Sequence, residues 1–174
     1  MSTDKLMKKL IDGEQSAFEE LYKQTRKTVY YVALSILREK YLAEDVMQST
    51  YLSVLKNAAQ YKIGTNATAW IIKIAKNQAL NLKKSRKRET CVDESESAYL
   101  FDTCRTDDYG LLIDLARRTL SDDEFTILML VSSCGYKRRE IGEMLDMPVP
   151  TVTWKYNNAI EKMKSALAPK AVKK

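Results

Sequence analysis

The chain has 174 residues, a formal net charge of +6, 45% hydrophobic and 30% charged residues, and no histidine. That length allows one domain or two small ones, and the composition suits a soluble chain with a packed core. No apolar run approaches the roughly 18 residues that span a bilayer, residues Met1 to Lys5 lack the apolar core of a secretory signal, and three cysteines (Cys91, Cys104 and Cys134) have no paired spacing. The expectation is a cytoplasmic protein with reduced thiols, no membrane insertion, no metal site and no cofactor. Only 5 glycines and 3 prolines interrupt long periodic runs of Leu, Ile, Lys and Glu, so the fold is expected to be all-α.

In chain order, residues 3–11 predict a short helix carrying Leu6, Leu10 and Ile11, ended at Gly13. Ser16 followed by Glu19 reads as a capping box that opens a second helix. That helix keeps Phe18, Leu21, Tyr22, Val29, Val32, Ala33, Ile36 and Leu37 in phase to about Arg38. A third runs from about Leu42 to Gln60, with Val46, Met47, Thr50, Tyr51, Val54 and Leu55 inward. After the loop Tyr61 to Thr68, a fourth runs from about Ala67 to Arg86, with a stripe of Ile71, Ile74, Ala75, Gln78 and Leu82. Four helices with short connections form one antiparallel unit.

The charge then changes sign. Lys83, Lys84, Arg86, Lys87 and Arg88 give way to seven acids (Glu89, Asp93, Glu94, Glu96, Asp102, Asp107 and Asp108) against one base, Arg105. Residues 89–106 have no sustained periodicity and read as a flexible acidic linker. Beyond it, Leu111, Leu112, Leu115 and Ala116 predict a short helix closed at Leu120. Ser121 and Glu124 form a second capping box before Phe125, Leu128, Met129 and Val131, and Gly135 ends that helix. Residues 135–159 then predict two short helices joined by a tight turn. Ile141, Met144 and Leu145 form the inner face of the first. Val152, Tyr156, Ala159, Ile160, Met163 and Leu167 form that of the second, which begins near Pro150. Thr151, Trp154, Lys155, Asn158 and Lys162 remain for an outer face. This is the plan of a helix-turn-helix for the DNA major groove, and equally that of an ordinary helical hairpin.

Three stretches in order resolve the choice. Residues 43–55 (Ala-Glu-Asp-Val-Met-Gln-Ser-Thr-Tyr-Leu-Ser-Val-Leu), 69–81 (Ala-Trp-Ile-Ile-Lys-Ile-Ala-Lys-Asn-Gln-Ala-Leu-Asn) and 120–159 resemble, at matching separations, the bacterial sigma-70 family in its extracytoplasmic-function class. These are the promoter-recognition subunits of RNA polymerase. The resemblance covers nearly the whole chain. It implies a domain over 1–88 for core polymerase and the minus-ten element, a linker over 89–106, and a helix-turn-helix domain over 107–168 for the minus-thirty-five element. It implies that Asp45, Gln48 and Tyr51, three residues apart and so expected on one face, dock on the clamp of the largest polymerase subunit, with the flap as a further contact. The loop that captures a flipped minus-ten base corresponds to Tyr61 to Thr68, where Tyr61, Lys62 and Asn66 would supply a π face, a charge and an amide. Lys73, Lys76 and Asn77 match the helix beside the melting start site, and Lys83 to Arg88 would hold phosphates without reading sequence. Trp70 is expected in the core. The implied partners are core RNA polymerase, promoter DNA and an anti-sigma protein.

Departures gather in the C-terminal helix pair. Pro148 stands where the family commonly has a small hydroxyl cap, leaving Val149 as a poor one. Thr153 replaces a lysine, and Lys155 and Asn158 replace arginines, so bidentate guanine contacts are lost. Asn157 and Asn158 could still read adenine and Trp154 could pack on a thymine methyl. Thr151 matches the family, while Lys137, Arg138 and Arg139 add charge to the scaffold helix. Gly142 replaces a common alanine and Asp146 a common glycine. Alternatives are a stand-alone dimeric helix-turn-helix regulator, and a degenerate homologue that binds polymerase or an anti-sigma protein without initiating. With no histidine, no glycine-rich phosphate loop and no paired nucleophile and base, nothing points to an enzyme.

Overall fold

The structure, a computed structural model, describes residues 2–89 and 108–168. The expected linker therefore lies, apart from Glu89, outside the described residues, as does the tail after Ala168. The described residues are helical and contain no strand. They run α1 (Thr3–Ile11), α2 (Gln15–Leu37), α3 (Lys40–Asn57), a 3-10 turn (Ala58–Gln60), α4 (Ala67–Glu89), α5 (Asp108–Thr119), α6 (Asp122–Ser132), α7 (Arg138–Leu145) and α8 (Val149–Leu167).

The two capping boxes read from sequence have different outcomes. At Ser121 the box forms: the backbone N–H of Ser121 donates to Glu124 Oε2 at 3.0 Å, and the N–H of Glu124 donates to Ser121 Oγ. At Ser16 it does not. Gly13, at φ +93°, turns the chain so that α2 starts at Gln15 behind Glu14, whose carboxylate pairs with Lys9 of α1 at 2.8 Å. Ser16 is then already inside the helix, where its hydroxyl has no end to cap.

Two apolar clusters hold the fold. The first joins α1 and the 3-10 turn to the inner faces of α2, α3 and α4 through Leu6, Met7, Leu21, Val29, Tyr51, Val54, Ile71 and Ala75, all buried. The second is shared between the N-terminal and C-terminal halves. It gathers Tyr31 to Ile36 of α2 and Ile72 and Ala79 of α4 with Phe125, Ile127, Leu130, Ile141, Met144 and Val152. All seven residues from Tyr31 to Leu37 are buried, so this end of α2 is covered on every side. A surface helix keeps one polar face; α2 loses its own because α6 packs on it, while α7 packs on α4.

Among the expected inward residues, Leu55 (45% exposed) and Leu167 (55%) lie outside instead. At the turn between α7 and α8, Asp146 takes the left-handed conformation (φ +55°), and the N–H of Met147 donates to the carbonyl of Gly142 at 2.9 Å. The closeness leaves no room at Gly142, where a Cβ would stand 2.7 Å from the Met147 carbonyl oxygen. That contact involves backbone and has no flexible end to swing away. Gly142→Ala is therefore expected to destabilise the protein by about 1–3 kcal/mol of overpacking, more than the roughly 0.5–1 kcal/mol that alanine gains in a helix. A lower urea midpoint at unchanged slope checks this.

Candidate functional site

The outer face of α3 carries the first candidate surface. Asp45 and Gln48 are exposed as expected, but Tyr51 is not: it is 4% exposed, shares a 2.7 Å hydrogen bond with the Thr25 hydroxyl, and packs edge-on against Tyr22 and Phe18. Burial pushes its hydroxyl pKa well up. The reason is angular. At about 100° per residue, Tyr51 lies about 120° around the helix from Asp45, whereas Leu52 lies only about 20° from it. Leu52 is 68% exposed, and Tyr41 and Leu55 extend the same stripe. A shallow hollow of about 300 Å³ beside it is lined by Arg26, Lys27, Tyr30, Tyr31, Glu44, Met47 and Gln48.

The second surface is the loop before α4 and the helix itself. Tyr61, expected to offer a free ring, is 4% exposed. Its hydroxyl donates to the Thr65 carbonyl at 2.7 Å and to Asp4, and its ring packs 5.5 Å from that of half-buried Trp70. Burial, with Asp4 next to it, raises its pKa to about 12. Asn66 uses its side-chain oxygen to cap α4, accepting from the Ala69 N–H at 3.0 Å, while Asp4 accepts from the Ala67 N–H at 3.0 Å. The carbonyl of Asn66 is thus committed to the helix start. Lys62, Lys73, Lys76 and Asn77 are exposed. In the basic run, Lys83 pairs with Asp122 at 3.5 Å and Arg86 with Glu39 at 2.7 Å, while Lys84 and Arg88 are exposed.

The third surface is α8, where the expected outer face divides. Trp154 is 64% exposed and Asn157 exposed beside it, together with Pro150 and Glu161. Lys155 and Asn158 turn back to α6 instead: Lys155 Nζ meets Asp123 Oδ2 at 2.8 Å, and Asn158 Nδ2 donates to Glu124 Oε1 at 2.5 Å. Lys162 joins them, donating to both Glu124 oxygens at 2.8 Å. Burial would push the Glu124 carboxyl up, but Lys162, the Ser121 backbone and hydroxyl and Asn158 outweigh it and hold it down to about 2. Thr151 and Thr153 are half-buried. Lys137 and Arg138 are exposed at the start of α7. Arg138 lies 4.9 Å over the Tyr156 ring, and Arg139 pairs with Glu143 at 3.3 Å. Among the described residues, no group of three acidic or thiol side chains could hold a metal ion, and no helix is long and apolar enough to cross a membrane.

Comparisons with known proteins then show what the chain is similar to. Residues 21–89, α2 through α4, match Sigma-70 region 2. Along 92% of its length the chain is 26% identical to the RNA polymerase sigma factor CarQ of Myxococcus xanthus, 95% of which is covered. It is 23% identical to the ECF RNA polymerase sigma factor SigK of Mycobacterium tuberculosis, over 94% of this chain and 92% of the relative. The matches place residues 21–89 with Sigma-70 region 2, and nearly the whole chain is similar to curated sigma factors, SigK among them of the ECF class. The chain shares its fold with two solved sigma factors at 16% identity. Sigma factor RpoE of Bartonella quintana, solved with the anti-sigma factor NepR, superposes with a TM-score of 0.65, covering 88% of this chain and 98% of that one. CnrH, solved with the cytosolic domain of CnrY, superposes at 0.68, covering 98% and 100%. A sigma factor is an initiation subunit without catalysis of its own.

Proposed function

We propose that this chain is a sigma factor that docks on core RNA polymerase through the outer stripe of α3 and directs initiation by reading a minus-thirty-five element with α8 and opening a minus-ten element with the loop and helix that follow α3. The observation that carries this is the exposed stripe itself. Leu52 and Leu55 stand in solvent next to Asp45 and Gln48, a small apolar anchor with a polar rim, which is how energetically dominant contact patches are built. The clamp of the largest subunit is the partner on α3, with Leu52 in the anchoring role that the family resemblance implies for Tyr51. The flap would meet the 107–168 domain.

On the DNA side, Lys73, Lys76 and Asn77 form an exposed basic face on α4 that suits phosphate contacts, with Lys62 on the loop before it. On α8 the free sector is narrow. Trp154 and Asn157 would enter the major groove, with Lys137, Arg138 and Arg139 near the phosphates. Lys155 and Asn158, held by α6 carboxylates, would act chiefly in fixing the helix pair. Trp154→Ala is expected to lower promoter-specific initiation about tenfold, the order of one lost base contact, with retention on core polymerase unchanged. Run-off transcription beside a pull-down reads both.

The engaged Lys155 and Asn158 favour one competing reading, a homologue that binds polymerase without initiating. The function lies in the cytoplasm, where an anti-sigma protein is the expected regulator. Reconstitution with core enzyme and sequencing of the transcript starts tests the proposal. Specific starts support it; polymerase binding without any start supports the competing reading, and no polymerase binding sinks both.

A further inference from the structure

The loop before α4 is fastened to α1 at both of its ends by one carboxylate. Asp4 Oδ1 accepts from the Tyr61 hydroxyl and, at 3.0 Å, from the backbone N–H of Ala67. Beside it the Thr68 hydroxyl donates to that of Thr3 at 3.1 Å. The base is firm, because Met7, one turn on from Asp4, is buried with Leu6 in the cluster that also holds Tyr61, Ala67 and Ile71. Helix α1 precedes the residues that match Sigma-70 region 2, so that match gives it no part in opening DNA.

Between the two anchors the chain projects outward. Lys62, Ile63, Gly64 and Thr65 are all exposed. Their turn is closed from within. The Lys62 carbonyl accepts from the Thr65 N–H at 3.3 Å and from its hydroxyl at 2.8 Å, and Gly64 supplies a left-handed φ of +90°. The Thr65 carbonyl in turn accepts from the Tyr61 hydroxyl at 2.7 Å. The tip thus has a defined shape, and its attachment to the body runs through Asp4. A carboxylate would ordinarily repel DNA phosphates from such a surface. Here it faces the first N–H groups of α4, where the helix dipole favours negative charge. It also fills the place that a phosphate could take at that helix start, which leaves the strand to engage the tip.

We infer that Asp4 is a positioning residue for promoter opening: it staples the two ends of the loop, so that the tip from Lys62 to Thr65 is held in one shape to receive an unpaired minus-ten base of the non-template strand. This rests on the proposed sigma activity. A loop ordered in advance loses less freedom on binding than a free one, and the advantage falls to the sequence whose base fits the held shape. Asp4 acts on discrimination through Tyr61 and Ala67 and touches no DNA itself.

Asp4→Ala, Asp4→Asn and Tyr61→Phe test it in the full chain. In the free protein, amide exchange over residues 62–69 should be about tenfold faster in Asp4→Ala, the order of one lost bond to a charged group, with α2 and α3 unchanged. With core enzyme, a labelled single-stranded oligonucleotide carrying the minus-ten sequence of the parent's own transcript starts should bind Asp4→Ala about tenfold more weakly. A scrambled oligonucleotide should bind it as it binds the parent. Asparagine keeps the acceptor oxygen and should restore most of the discrimination; Tyr61→Phe, which leaves the Ala67 bond, should lose less of it than alanine does. Equal weakening toward both oligonucleotides overturns the positioning role, as does an asparagine variant that behaves like alanine. Unchanged exchange in the loop overturns the staple whatever the polymerase does, and a parent that directs no initiation overturns the sigma activity whatever the loop does.

Discussion

Leu52→Asp is expected to weaken retention on core RNA polymerase by at least about thirtyfold, the roughly 2 kcal/mol that marks a dominant interface residue. The side chain is 68% exposed, so aspartate leaves the fold intact and melting temperature should hardly move. What changes is the centre of the proposed docking stripe, where a carboxylate joins that of Asp45 and finds no compensation. Asp45→Arg should act in the same direction by reversing charge on the rim. The contrasting variant is Tyr51→Phe. It removes a buried hydroxyl that bonds Thr25, which costs about 1 kcal/mol of stability, yet the ring never reaches the surface and polymerase affinity should be unaffected. Equilibrium binding to fluorescent core enzyme, with a thermal melt of each variant, separates the two. Loss of binding in Tyr51→Phe with full binding in Leu52→Asp would reverse the assignment.

Glu124→Ala is expected to lower the melting temperature by roughly 10 °C, since about 3 kcal/mol is at stake and each kcal/mol moves a chain of this length by about 2–4 °C. The carboxylate is 4% exposed and serves three partners at once: the Ser121 cap of its own helix, and Asn158 and Lys162 of α8. Its pKa falls from 4.5 to about 2 in the folded chain. A carboxyl depressed by folding adds stability that is complete above its unfolded pKa and disappears as pH falls through the folded one. The parent should therefore lose about 3 kcal/mol between about pH 4.5 and pH 2 from this group. Glu124→Gln keeps the shape without the charge, and its stability should be flatter across that window. Urea titrations across the pH range report the difference; parallel curves for the two proteins would show that another group dominates.

The same residue shows how far sequence reading reaches. Ser121 and Glu124 announce a capping box by spacing alone, and the box forms. That Glu124 also anchors α8 depends on Asn158 and Lys162, more than thirty residues downstream, and no local pattern links them. Ser16 and Glu19 have the same spacing, yet the box is absent because the turn at Gly13 starts the helix two residues early, at Gln15 behind Glu14. Trp154 is read correctly as exposed from its place opposite Val152 and Ala159. Lys155 and Asn158, its neighbours on the helical wheel, are not, because the carboxylates that draw them in belong to α6. Helical geometry alone puts Leu52 about 20° from Asp45, whereas the family motif that Asp45 and Gln48 match points to Tyr51, whose ring turns inward to Thr25 and Tyr22.

By itself the sequence determined that the chain is helical, where its helices begin and end to within a few residues, and which family its three motifs resemble. All of these are written in local periodicity, capping residues and turn residues, which act over less than about four residues. Only the tertiary structure decided which apolar face meets which. An uninterrupted run such as Tyr31 to Leu37 is compatible with one covered side or with burial all round, and the packing of α6 makes it the latter. Likewise Arg38 carries no signal of its own in the chain. Its contacts arise because a left-handed turn at the end of α2 brings it to the carbonyls of Arg117 and Leu120, some eighty residues away in sequence, where contact depends on the global fold.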